Sequence, residues 1–139
     1  MKNQELFDKT ITVLVKAYQK NTLRHQLCWA CAVGNIVAAA NGSPLNNVMD
    51  SFDWEDYYHT LHAATQNIAS FKATEAGFKQ IEKTGYTPIQ LLAIEKAFER
   101  EKNDIDGFNG LMAVVDCLME IHEATTEQAE SAKSLFVKV

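Results

Sequence analysis

Leu27-Cys28-Trp29-Ala30-Cys31-Ala32-Val33-Gly34-Asn35-Ile36-Val37-Ala38-Ala39-Ala40 carries no charged side chain, and its reading decides the fold. Taken as a helix, it has no face suited to water, so it belongs in the middle of a bundle. It is too short to span the hydrocarbon core of a bilayer and is interrupted by Asn35. Ala30, Gly34 and Ala38 recur every four residues, a strip of small side chains that lets a neighbouring helix approach closely. Gly34 costs about 1 kcal/mol of helix propensity relative to alanine, which argues for a packing reason. Asn41-Gly42 offers a left-handed stop.

On the N-terminal side, Leu6, Val13, Leu14 and Ala17 share one arc at ~100° per residue, widened by Phe7, Ile11 and Tyr18. Asp8, Lys9, Thr12 and Lys16 lie opposite, which predicts an amphipathic helix over residues 3–20. On the C-terminal side, Ser43-Pro44 reads as an N-cap and first turn of a short helix. Asp53 can cap the next helix, where Trp54, Tyr57, Tyr58, Leu61, Ala64 and Ile68 share a face. A weaker helix over Glu75 to Lys83 stops at Gly85. Thr87-Pro88-Ile89-Gln90 has the form of a capping box with proline at the first helical position, and Leu91, Ile94, Ala97 and Phe98 make the stripe behind it.

Residues 102–110 read as a turn. Leu111 to Glu123 follows with a broad apolar arc of Leu111, Met112, Val114, Val115, Leu118, Met119 and Ile121, a second deeply buried helix. Thr125 to Gln128 repeats the capping box and opens a last helix packing through Ala129, Ala132, Leu135 and Phe136. The expectation is an all-α protein, one domain over residues 1–139, built as a compact bundle of six or seven helices around two strongly apolar central ones. Two prolines and six glycines are too few for many short strands.

Charge acts by exclusion. Thirteen basic against eighteen acidic residues give a net charge of −5. No lysine/arginine cluster supplies the footprint of a nucleic-acid binder, and the balance disfavours anionic membranes. Met1-Lys2-Asn3-Gln4-Glu5 lacks the basic and apolar regions of a secretory signal. Three cysteines cannot all pair within one chain, so the expectation is reduced thiols in a cytoplasm.

The sharpest chemical motif is His25-Gln26-Leu27-Cys28-Trp29-Ala30-Cys31. An imidazole and two thiols at three-residue intervals share a helix face, and tetrahedral zinc takes such ligands. A c-type haem would need His where Ala32 stands. A thioredoxin-like site needs its first cysteine at a helix N-terminus after a strand, and nothing strand-like precedes Cys28. The competing reading makes Cys28 and Cys31 small buried hydrophobes. Glu55, His59 and His62 form a second cluster, within about 60° of one another on a helix. With Cys28 and Cys31 the two histidines would complete a two-cysteine, two-histidine site, provided the fold closes the long spacer. The competing reading is a solvated polar stripe continued by Gln66.

His122 points at the centre of an apolar arc and reads as a core histidine with satisfied ring nitrogens; Cys117 reads as core filler. Asp104-Ile105-Asp106-Gly107 invites an EF-hand comparison. With Gly107 at the sixth loop position, Lys102 and Ala113 stand where an acid and a bidentate glutamate are needed, so calcium is not expected. No phosphate-binding glycine loop, G-x-S-x-G elbow or H-E-x-x-H is present.

Cys28-Trp29-Ala30-Cys31-Ala32-Val33-Gly34-Asn35-Ile36-Val37 and Asn109-Gly110-Leu111-Met112-Ala113-Val114-Val115-Asp116 resemble small uncharacterised helical proteins of Bacteroidetes-type bacteria and their phages. The resemblance implies a bacterial cytoplasmic setting and brings no functional residues. Three functions compete: a non-enzymatic interaction or regulatory module, acting through a helix groove or as a homo-oligomer; a zinc-binding or thiol-redox protein centred on Cys28 and Cys31; and an enzyme without a recognisable motif. The first is favoured by the missing catalytic motifs and by the breadth of apolar arc, which with Trp54, Tyr57 and Tyr58 predicts self-association.

Overall fold

α5 (Pro88–Glu99) and α6 (Phe108–His122) pack against each other along the bundle. Leu91, Ile94 and Phe98 on one and Leu111, Val114, Val115 and Leu118 on the other are entirely buried. The computed structural model describes residues 1–101 and 103–139. Among these the elements are seven helices and no strand: α1 (Gln4–Gln19), α2 (Ala32–Ala40), α3 (Glu55–Gln66), α4 (Glu75–Glu82), α5, α6 and α7 (Thr126–Lys133). α1 lies against α2 and α6, α7 closes on α6, and α3 and α4 form a pair whose α3 member leans on α5. One buried cluster draws side chains from all seven, with α2 and α6 as its two strongly apolar members.

Local signals explain most boundaries. Thr87 and Thr125 both close capping boxes with Gln90 and Gln128, and Thr74 caps α4 by accepting from Gly77 N–H. Asn3 caps α1 by accepting from Leu6 N–H.

The apolar run departs from the reading made above. Its helix starts at Ala32, and residues 25–31 form turns. The reason is Asn35, 4% exposed. Its amide nitrogen donates to the carbonyls of Thr22, Ala30 and Cys31, and its oxygen accepts from the Thr22 hydroxyl at 2.9 Å. One side chain thus pairs the buried Thr22 carbonyl and adds a second donor to the Ala30 and Cys31 carbonyls, which also accept from the Arg24 and Asn35 N–H groups. The small-residue strip is likewise not a helix crossing. A Cβ at Gly34 would stand 2.6 Å from the Trp29 carbonyl carbon and 2.7 Å from the Cys28 oxygen, so the chain's own turn is what approaches.

Five further expectations are corrected. Ser43-Pro44 opens no helix; residues 43–54 run as bends, with the Asp50 carboxylate accepting from Asn46 and Asn47 N–H. Trp54, not Asp53, holds the N-cap position of α3, without a side-chain cap. Ala64 and Ile68 are exposed, because Thr60 and His62 turn inward beside Tyr57 and Leu61. α6 starts at Phe108, inside the expected turn, since the Asp106 and Asp104 carboxylates accept from Phe108 and Gly110 N–H. Lys102, where that turn was expected to begin, lies outside the described residues. Finally, Leu135 is 53% exposed rather than packed.

Candidate functional site

The turn before α2 places the Cys28 and Cys31 side chains on a small cleft of about 230 Å³, whose other walls are Tyr58 of α3 and Glu95 and Glu99 of α5. Cys31 is the N-cap of α2: its sulfur accepts from Gly34 N–H at 3.3 Å. Burial pushes its thiol up to about 12, against the pull of that N–H. Cys28 is half-buried, and its thiol is also raised, first by burial, with the neighbouring Tyr58 hydroxyl pulling the other way. Tyr58 is itself pushed up to about 12, chiefly by burial. Near neutral pH both thiols stay protonated, the opposite of what an activated cysteine needs. Tyr57 fixes the turn by donating to the Cys28 carbonyl at 2.5 Å.

The candidate ligands go to different places. His25 stacks on Phe98, with ring centroids 4.2 Å apart, and its Nδ1 and Nε2 lie 3.5 Å from Glu99 and Asp104 carboxylate oxygens. His62 faces Glu95 at 3.5 Å, and the acceptor carboxylate raises its pKa against the opposing effect of burial. His59 stacks on Phe71, centroids 5.1 Å apart. Glu55 is an exposed residue of the first turn of α3. The fold brings Cys28 and Cys31 to one cleft; His25 and His62 stand behind it, each against one of its carboxylates, and none of His25, His59, His62 and Glu55 lines it. Among the described residues, no three histidine, cysteine, aspartate or glutamate side chains converge as a metal-binding group. What the sequence reading missed is the carboxylate row: Glu95 and Glu99 each follow a stripe residue, Ile94 and Phe98, and stand one turn apart at the edge of that stripe.

His122 is placed as expected. Its ring nitrogens lie 2.8 Å from the Tyr86 hydroxyl and 2.7 Å from the Lys2 carbonyl.

A larger concavity lies along α1. It is an open groove of about 730 Å³ between α1 and α7, floored by Phe7, Ile11 and Ala132 and flanked by exposed Leu135. Its edges carry Asp8 and Glu127 and no lysine or arginine.

No helix is long and apolar enough to cross a membrane among the described residues. Comparison with known families, curated proteins and solved structures finds no match.

Proposed function

We propose that this chain is a non-enzymatic interaction module of a bacterial cytoplasm, and that it holds a helical segment of a partner protein in the α1–α7 groove. The observation that carries this reading is the groove itself: open, apolar along its floor and polar at its edges, the form that accepts an amphipathic helix. Leu135 supplies an exposed anchor beside it, and Asp8 with Glu127 favours a segment whose flanks are basic. The thiol cleft supports this reading less directly. Its cysteines are held protonated by burial, which suits packing better than redox or zinc chemistry.

The test is a photo-crosslinking residue at Ser131, on the groove, and at Glu75, on α4, in cells of the native host. A discrete protein adduct at Ser131 alone, lost when Leu135→Asp is added, supports the reading. The same adducts at both positions, or adducts indifferent to Leu135→Asp, would overturn it.

A further inference from the structure

The α5–α6 hairpin presents an outward trough of about 380 Å³, which shares no lining residue with the α1–α7 groove. Its floor is small: Ala97 is buried, Ala113 and Cys117 are half-buried, and Ala93 is exposed. Side chains of this size let an opposing helix come closer than leucine or phenylalanine would. The walls are charged and of opposite sign. Exposed Lys96 and Arg100 stand one turn apart on α5, and exposed Asp116 and Glu120 stand one turn apart on α6. Among the described residues, Lys96, Arg100 and Glu120 form no ion pair, while Asp116 contacts Lys133 of α7 at 2.8 Å through one oxygen. Three of the four wall charges are therefore not engaged within the chain.

We propose that this face is the contact surface for a second copy of the chain. A row of positive charge beside a row of negative charge complements itself under a two-fold rotation. An axis running along the trough lays α5 of each copy over α6 of the other, so each basic row meets an acidic row, twice per dimer. A different partner would have to carry the same paired rows in mirror order, whereas a second copy has them by construction. The apolar arcs that first pointed to self-association do not supply this contact, because Leu111, Val114, Val115, Leu118 and Tyr57 are consumed in the core. The new argument rests on charge placement and does not depend on the α1–α7 groove.

Sedimentation velocity tests it, with circular dichroism to verify that each variant is folded. The wild type dimerises in the micromolar range, more weakly as salt is raised. An all-acidic face (Lys96→Glu with Arg100→Glu) and an all-basic face (Asp116→Lys with Glu120→Lys) each dissociate at least tenfold more readily. Mixed in equal amounts, the two variants recover a dimer, because each row again meets its opposite. Ala93→Arg, which fills the trough without reversing a row, is a second variant expected to dissociate; Ser131→Arg, in the other groove, leaves the dimer intact. A monomeric wild type, a dimer indifferent to all these α5–α6 changes, or variants that fail to recover on mixing would overturn the proposal.

Discussion

The hydroxyl of Tyr86 lies 2.8 Å from Nε2 of His122, at the centre of a buried chain of hydrogen bonds that ties α1, the α4–α5 connection and α6 together. The tautomer follows from its ends. The Lys2 carbonyl 2.7 Å from Nδ1 can only accept, so Nδ1 carries the proton, and in the neutral ring Nε2 accepts from Tyr86. The Thr10 hydroxyl, 2.8 Å from the Tyr86 oxygen, then donates either to that oxygen or to the Leu6 carbonyl, which it also reaches at 2.8 Å. Phe7 packs edge-on against the imidazole, its ring centroid 5.4 Å away.

Removing either His122 or the Tyr86 hydroxyl takes one buried hydrogen-bond partner from the other. His122→Leu is expected to destabilise by about 2–4 kcal/mol, since each orphaned polar group costs roughly 1–3 kcal/mol. Tyr86→Phe should cost less, about 1–2 kcal/mol. In denaturant melts the double variant should be less destabilised than the sum of the two singles. Simple additivity would show that the two groups are not coupled.

Asn35 and Gly34 shape the cysteine turn and should respond to different insults. Asn35→Leu keeps the volume but leaves the Thr22 carbonyl unpaired and takes one donor each from the Ala30 and Cys31 carbonyls, with an expected loss of about 1–3 kcal/mol. Gly34→Ala forces a methyl against the Trp29 carbonyl, an overpacking expected to cost about 1–3 kcal/mol. Both should also speed modification of Cys28 by a thiol reagent, because the turn that half-buries it is loosened. Wild-type stability and reactivity in both variants would mean that the turn is held by something else.

The His62–Glu95 pair predicts a pH dependence with a definite sign. The folded pKa of His62 is raised above 6.5 because the protonated ring gains the Glu95 carboxylate. The pair's stabilisation is therefore complete below the unfolded value and lost as pH rises through the folded one. Melting temperature should fall across that interval in the wild type, and the fall should be smaller in Glu95→Gln. An identical profile in the two proteins would remove the pair as its cause.

The two cysteines of the motif should behave unequally towards a maleimide in native buffer. Cys28 is expected to react slowly and Cys31 only after unfolding, as their burial and raised pKa values require. Cys31→Ser should retain the α2 cap, whereas Cys31→Val should lose it and cost about 1 kcal/mol. Equal native reactivity of the two thiols, or about one zinc per chain lost in Cys28→Ser, would contradict this picture and restore the motif as a metal site.

Elements whose causes lie within a few residues were legible beforehand. The Thr87 and Thr125 boxes bring together groups three positions apart, and the stripe of α5 follows from helical period alone. The start of α2 was not legible, because Asn35 is held by Thr22, thirteen positions away. Nor was the cleft: Cys28 and Cys31 can be read from the chain, but Glu95 becomes their neighbour only when α5 packs beside the turn.

The sequence by itself determined that the protein is helical, that α2 and α6 lie inside, and that His122 is a core residue. Those outcomes depend on the period and polarity of local segments. Only the tertiary structure decided where the apolar run stops being helix, which charged rows share a trough, and where His25 and His62 find their carboxylates. Those outcomes depend on which elements pack together, and a histidine's partner is set by the helix placed against it, not by its own neighbours in the chain.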